Sequence, residues 1–133
     1  MHRLLPLLFL LLTTAGCSSA GDDSVGTAAR TELVIEFSRD RGAPAERVML
    51  TCDPTGGDHP DAEQACADLA AAQAPFAPLP ADRVCTQIYG GPQTATITGT
   101  YRGERVRLEL SRTDGCRIAQ WDGLGAVLPR LDT

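Results

Sequence analysis

The sequence predicts an α+β domain in which an antiparallel sheet is covered on one face by helices. Three observations lead to this class. Several segments alternate apolar and polar residues, a segment between them has helical spacing, and two late alternating segments are separated only by Arg102-Gly103. Alternation with a period of two is typical of half-buried strands, and two such segments around a short turn predict a hairpin.

Two strands are predicted in the first half of the domain. In residues 31–38 one face is apolar, and it is formed by Leu33, Ile35 and Phe37. Residues 47–52 alternate in the same way, and their inward set is Val48, Leu50 and Cys52. Each segment therefore has one face suited to a core and one suited to water, as expected for a sheet covered on one side.

A loop and a helix are predicted after the second strand. The Pro and Gly content of residues 52–60 indicates a loop. Pro60 suits the first turn of a helix, where its missing N–H is no loss. Residues 60–72 then carry apolar side chains at helical spacing, so we predict an amphipathic helix there. This pattern is ended by three prolines, Pro75, Pro78 and Pro80, which predict an extended connection.

The hairpin lies in the last third of the chain. Residues 94–101 alternate threonines with an apolar set formed by Ala95, Ile97 and Tyr101. Residues 104–112 return with an apolar set formed by Val106, Leu108 and Leu110. Arg102 and Gly103 predict the two-residue turn that joins these strands.

The C-terminal segment has a less regular pattern. Ile118 and Trp121 lie three residues apart, which allows a short helix, while Gly123 and Gly125 disfavour its continuation. Residues 126–128 are apolar and predict a final short strand.

The N-terminus has the features of an export signal. A basic residue precedes an apolar run at residues 4–12, which is shorter than the roughly 17–25 residues of a membrane-spanning helix. Ala15-Gly16-Cys17 resembles the bacterial lipobox, where a signal peptidase cuts before a lipid-modified cysteine. We therefore predict a signal peptide at residues 1–16 and lipidation of Cys17. The alternative is an ordinary secretory signal that leaves an unmodified thiol.

The remaining chain divides into a tether and one domain. Residues 17–30 are mostly Gly, Ser, Ala and Asp, a composition typical of a flexible tether, and the domain is predicted over residues 31–130. The predicted location is the cell surface through the lipid anchor, or the extracellular medium. The formal net charge is −5 and no basic stripe is present, which argues against nucleic-acid binding.

The sequence lacks a catalytic or metal-binding constellation. His59 is the one histidine beyond the signal, and no serine lies in a context suited to nucleophilic catalysis, so we expect a structural role for His59 and no enzyme activity. The four cysteines after Cys17 lack the close pairs of zinc sites, so we expect disulfides, no metal and no cofactor. Four cysteines allow three pairings, and spacing does not choose among them.

Several motifs resemble the Streptomyces subtilisin inhibitor family. These motifs are Leu50-Thr51-Cys52-Asp53-Pro54, Gly57-Asp58-His59-Pro60, Ala65-Cys66-Ala67-Asp68-Leu69, Cys85-Thr86-Gln87-Ile88-Tyr89, Gly103-Glu104-Arg105-Val106 and the isolated Cys116. The resemblance implies a two-layer sandwich, with a five-stranded (or four-stranded) antiparallel sheet covered by two helices. It also implies homodimers and two disulfides, Cys52–Cys66 and Cys85–Cys116.

The same resemblance implies a function and its residues. The expected function is serine protease inhibition by a loop that acts as a tight, poorly cleaved substrate. Gln87–Ile88 would be the reactive bond, with flanking subsites filled by Val84, Thr86 and Tyr89. Because Gln87 is neutral, a subtilisin-like partner is expected rather than a trypsin-like one. The alternative is a cell-envelope lipoprotein that keeps the fold as a binding module but inhibits no protease.

Overall fold

Five strands and two helices form the fold of residues 30–130, the part of the chain that the computed structural model describes. In chain order the elements are β1 (Thr31–Ser38), β2 (Glu46–Cys52), β3 (Gly56–Gly57), α1 (Ala62–Ala71), β4 (Gly91–Tyr101), β5 (Glu104–Arg112), α2 (Gly115–Asp122) and a 3-10 helix (Gly125–Val127). Within that range, no helix has both the length and the apolarity that a membrane crossing requires. The predicted signal peptide, Cys17 and residues 18–29 of the predicted tether lie outside the described residues.

The strands form one antiparallel sheet in the order β3-β2-β1-β4-β5. The central strand is β1, where Ile35 lies opposite Val48 on one side and Ile97 on the other. β4 and β5 form the predicted hairpin. Arg102 and Gly103 both have positive φ in its turn, at 48° and 86°, which is the backbone that a tight two-residue hairpin turn requires.

One face of the sheet is buried beneath the helices. The inward side chains of β1 are almost fully buried, as predicted for Leu33, Ile35 and Phe37. The Trp121 ring of α2 packs on the Phe37 ring, with centroids 6.0 Å apart. The outward side chains of β1 are exposed or half-buried, so the helices leave the opposite face of the sheet uncovered. The predicted α+β sandwich of a five-stranded antiparallel sheet and two helices is therefore confirmed.

The predicted final strand at residues 126–128 is wrong, because this segment lies in and just after the 3-10 helix. Gly125 has a φ of 54°, which turns the chain sharply. The backbone N–H of Ala126 donates to Asp68 Oδ2 at 2.7 Å, so α1 holds this turn in place. A short apolar run is compatible with both a strand and a 3-10 helix, so the sequence pattern alone does not distinguish them.

β3 (Gly56–Gly57) lies within residues 52–60, where the sequence pattern predicts a loop. This strand consists of two glycines, and Gly56 and Gly57 pair with Thr51 and Leu50 through their backbones. Glycine has no side chain to give a strand periodicity, so the sequence pattern carries no signal for it.

Candidate functional site

An exposed loop at residues 83–90 follows the prolines and leads into β4. It contains neither helix nor strand. Gln87 is exposed, and the neighbouring large side chains are also exposed, at 96% for Val84, 58% for Ile88 and 59% for Tyr89. Val84, Ile88 and Tyr89 are three of the four exposed large hydrophobic residues in the described chain, so apolar surface is concentrated on this loop. Ile88 and Tyr89 are therefore not packed in the core of the domain.

The first restraint on the exposed loop is a disulfide. Cys85 is bonded to Cys116 in α2, and their Cα atoms lie 5.3 Å apart. The bridge joins residues 31 positions apart in sequence, so it links the start of the loop to a helix that lies much further along the chain. This bridge is located two residues before Gln87.

The second restraint is a contact between Thr86 and the first residue of α2. The backbone N–H of Gly115 donates to the Thr86 carbonyl at 2.9 Å. A Cβ atom on Gly115 would lie far inside van der Waals contact with Thr86 Oγ1. The Thr86 side chain therefore rests where residue 115 has no side chain, and the bare backbone of Gly115 allows this close approach.

The third restraint holds the end of the exposed loop. The Gly90 N–H donates to the Arg112 carbonyl at 2.7 Å, and Arg112 Nε donates to the Gly90 carbonyl at 3.3 Å. Arg112 is itself held by an ion pair with Asp122 at 3.2 Å and by a cation–π contact with Trp121, whose ring centroid lies 5.7 Å from Arg112 Cζ. Both sides of the segment from Gln87 to Tyr89 are thus attached to the body of the domain.

Asp114 organises the start of α2, which carries two of these restraints. Its carboxylate accepts a hydrogen bond from the Arg117 backbone N–H at 2.9 Å, which caps the helix. The Arg117 guanidinium also pairs with it. The Arg117 backbone N–H is the main cause that lowers the pKa of Asp114 below its usual 3.8, although desolvation partly opposes the shift.

We predict an acid-sensitive contribution to stability from Asp114. A carboxyl whose pKa is lowered by folding contributes stability that is complete above its unfolded pKa and is lost as pH falls through the folded one. The free energy of unfolding should therefore decrease as the pH is lowered below about 3.8. Asp114→Asn keeps a capping oxygen but removes the titrating carboxyl group. Urea unfolding is measured between about pH 2 and 6, which brackets the titration of carboxyl groups. A plot of the free energy of unfolding against pH should have a shallower slope for this variant. An unchanged slope would contradict this role.

A second prediction concerns the contact between Gly115 and Thr86. Gly115→Ala should lower the free energy of unfolding by about 1–3 kcal/mol, because the added methyl group would overpack against Thr86 Oγ1. Thr86→Ala in the same chain should restore most of the loss, since it removes the obstructing hydroxyl. The control is Thr86→Ala alone, and the free energies of unfolding of all four proteins, measured with urea, give the coupling. Equal loss with and without Thr86→Ala would refute the contact.

The second disulfide and His59 lie apart from the exposed loop and have structural roles. Cys52 is bonded to Cys66, which joins the end of β2 to α1, with Cα atoms 5.7 Å apart. His59 is buried; its Nε2 lies 3.0 Å from the Val127 carbonyl, and its Nδ1 accepts from the Asp61 N–H at 3.1 Å. Both ring nitrogens are therefore engaged in packing the C-terminal segment onto α1, as the predicted structural role requires.

One group of described residues brings potential metal ligands together. The ligand atoms of Cys85, Cys116 and Asp114 lie within 4.8 Å of one another. Because the two sulfurs are joined to each other, they are not thiolates, and thiolate is the form that binds metal ions. In the oxidised protein these three residues instead attach the exposed loop to the start of α2.

Sequence reasoning missed the two non-covalent restraints. Gly115 precedes Cys116 directly, and a glycine beside a bridged cysteine could have suggested a close backbone approach. Arg112 gave no signal, because its backbone and side-chain contacts with Gly90 join residues 22 positions apart in sequence. Spacing also left the disulfide pairing open, whereas the structure has both bridges that the resemblance implied.

Fold and loop together define a small two-layer α+β domain that presents a disulfide-braced loop beyond one end of its sheet. A family model described as "Subtilisin inhibitor-like" matches residues 29–113, a span that contains the exposed loop. The chain therefore belongs to the subtilisin inhibitor-like family.

Its relatives include several Streptomyces proteins. "Subtilisin inhibitor-like protein 5" of Streptomyces fradiae is 42% identical over 78 residues, which are 56% of this chain and 72% of that protein. "Subtilisin inhibitor-like protein 1" of Streptomyces cacaoi is 40% identical over 82 residues, or 57% and 74% of the two chains. The similarity to "Subtilisin inhibitor" of Streptomyces violaceus extends further, with 33% identity over 128 residues, 90% of this chain and 87% of that one.

Proposed function

We propose that this protein is a serine protease inhibitor, and not an enzyme, whose exposed loop occupies a protease cleft as a tight, poorly cleaved substrate. The observation that carries the proposal is the attachment of the loop at both ends while Gln87, Ile88 and Tyr89 remain exposed. Membership of the inhibitor family supports it. Of the relatives named above, one is named "Subtilisin inhibitor" and two are named "Subtilisin inhibitor-like".

Fixing the loop favours binding through entropy. A protease binds an extended segment through main-chain hydrogen bonds and side-chain pockets. A flexible peptide loses conformational freedom when it is bound, whereas a loop already held in place loses less. The restraints at Cys85, Thr86 and Gly90 reduce this cost on both sides of the bond that a protease would attack.

The same restraints slow the release of the cleaved loop from the protease. If the Gln87–Ile88 bond is hydrolysed, the new carboxyl end remains bonded through Cys85 to Cys116. The new amino end remains close by, because Gly90 is held by Arg112. The two ends therefore stay adjacent, and religation competes with dissociation.

The side chains of the loop match a particular class of pocket. Gln87 is proposed to enter the primary pocket, with Val84, Thr86, Ile88 and Tyr89 in the neighbouring subsites. The nearly complete exposure of Val84 leaves its apolar side chain available to a partner. A neutral Gln87 leaves the acid of a trypsin-like pocket unpaired, so a subtilisin-like protease is the proposed partner.

An inhibition panel tests this proposal. The chain from residue 17 onward, with both disulfides formed, is titrated against subtilisin, trypsin and a glutamine-tolerant serine protease. We expect one-to-one inhibition of subtilisin and much weaker inhibition of trypsin. A folded, oxidised chain that inhibits none of these proteases would contradict the proposal and favour the alternative, an envelope binding module.

Export and membrane attachment are a separate proposal. The protein is exported, and Cys17 carries the lipid that holds it at the cell surface. Support comes from the resemblance of Ala15-Gly16-Cys17 to a lipobox and from the two bridges, which account for four of the five cysteines. Mass spectrometry of protein from its own host should find a diacylglyceryl group on Cys17. An unmodified thiol there would refute the anchor.

A homodimer is proposed on the uncovered face of the sheet. Val34 and Met49 lie opposite each other in β1 and β2, and Met49 is 50% exposed. A second copy would shield this apolar pair. Sedimentation velocity should give a dimer that Met49→Arg dissociates, and a monomer at micromolar concentration would contradict the proposal.

A further inference from the structure

The N-terminal end of the domain lies at the hairpin end of the sheet. Arg30 directly precedes β1, and its carbonyl accepts a hydrogen bond from the Gly103 N–H at 3.4 Å. The Arg102 N–H donates to Thr31 Oγ1 at 3.2 Å. The chain therefore enters the domain beside the turn between β4 and β5.

The exposed loop lies at the other end of the same sheet. It leads directly into Gly91, the first residue of β4, whereas the hairpin turn follows Tyr101, the last. The 11 residues of β4 give ten steps of about 3.3 Å between these points, so the loop is roughly 30 Å from the N-terminal entry. The start of α2, which braces the loop, follows β5 at this same distant end.

The C-terminal end of the described chain lies on the loop side. Arg39 follows the last residue of β1, and β1 ends where Ser38 pairs with Thr94 near the start of β4. The Arg39 guanidinium donates to the Arg130 carbonyl at 3.3 Å. The two ends of the domain are therefore on opposite sides of the molecule.

We infer that attachment through the N-terminal segment presents the exposed loop away from the attached surface, so that it captures soluble proteases arriving from the solvent side. This inference rests on the proposed inhibitory function, and it names the kind of partner. The N-terminal segment enters the domain beside the Arg102-Gly103 turn, and the protease binds at the opposite end of the sheet. The attachment point therefore does not obstruct a protease that approaches the loop from the solvent.

The size of a protease makes the direction of attachment matter. A globular enzyme of about 250 residues has a radius of gyration near 18 Å, which corresponds to a body roughly 45 Å across. Such a body fits freely beyond the loop when the surface lies at the hairpin end. A surface attached directly behind Arg130 would occupy the space that the enzyme needs.

Two matched variants of the chain from residue 17 test the inference. The first carries Cys17→Ser and Ala29→Cys, and the second carries Cys17→Ser with a cysteine added after Thr133. Each is coupled to phosphatidylcholine vesicles that contain a maleimide-bearing lipid. Both attachments are short, so they differ in which end of the domain meets the surface.

The readout is the association rate constant with soluble subtilisin, compared with the same variant left uncoupled. Coupling through Ala29→Cys should leave the rate within about threefold, while coupling after Thr133 should lower it by roughly tenfold or more, because the productive approach is blocked. Equal rates for the two coupled proteins, or the opposite order, would overturn the inference.

A second readout does not depend on inhibition. The same variants are coupled to lipid nanodiscs that carry a gadolinium-chelating lipid, and amide signals are followed by NMR. Attachment through Ala29→Cys should broaden the Gly103 amide and spare that of Gln87, and attachment after Thr133 should do the reverse. If the uncoupled chain fails to inhibit subtilisin, the proposed function fails, while the broadening pattern still decides the orientation.

Discussion

Replacing Cys85 and Cys116 together by serine should convert the inhibitor into a substrate that subtilisin cleaves rapidly at Gln87–Ile88. The bridge fixes the loop two residues before this bond, and only the hydrogen bond from Gly115 to Thr86 would remain on that side. Each backbone residue that must be ordered on binding costs about 1–2 kcal/mol. Freeing two or three residues should therefore weaken inhibition by roughly 30-fold or more.

The matched control is the removal of the other bridge through Cys52→Ser and Cys66→Ser. Loop-closure estimates assign about 4 kcal/mol of stability to the Cys85–Cys116 bridge and about 3 kcal/mol to the Cys52–Cys66 bridge. Both variants are thus destabilised by similar amounts, but only the first loses a restraint on the exposed loop. Inhibition and cleavage are measured at a temperature where circular dichroism shows both to be folded. Equal resistance to cleavage in the two variants would refute the bracing role.

Changing Gln87 to lysine should turn the protein into a trypsin inhibitor. A trypsin-like primary pocket ends in a buried acid, which Gln87 leaves unpaired and a lysine would pair. Loss of one partner from a desolvated charge pair costs 2–5 kcal/mol, so supplying that partner should strengthen trypsin inhibition by roughly 100-fold or more. The inhibition constant for trypsin is the measurement.

The control for the lysine variant is Gln87→Glu, which has nearly the size of glutamine but places a like charge in the pocket. It should inhibit trypsin even less than the unmodified chain does. If lysine and glutamate at this position change trypsin inhibition equally, or not at all, residue 87 does not enter the primary pocket.

Much of the sheet could be predicted because side chains in a half-buried strand alternate between core and solvent. Leu33, Ile35 and Phe37 gave the inward face of β1 directly from their spacing. The helix was predicted over residues 60–72, and α1 begins later, at Ala62. The N–H of Asp61 instead bonds to the buried His59 ring, a tertiary contact that local propensity does not encode.

The candidate site was predictable only in part, for a related reason. The segment Cys85 to Tyr89 resembles a known reactive loop, so its residues could be named from sequence. Its rigidity depends on Gly115 and Arg112, which bond through backbone atoms across long sequence separations. Hydrogen bonds of this kind impose no periodicity on the sequence, and only the folded arrangement reveals them.

A crystal structure of the complex with subtilisin tests the central claim most directly. With the loop seated as a substrate, the intact Gln87–Ile88 peptide should lie in the cleft, and the Gln87 carbonyl carbon should be about 3 Å from the catalytic serine oxygen. The restraints on Thr86 and Gly90 should be unchanged in the complex. A complex that contacts the protease through another surface, or a loop detached from α2 and β5, would contradict the account.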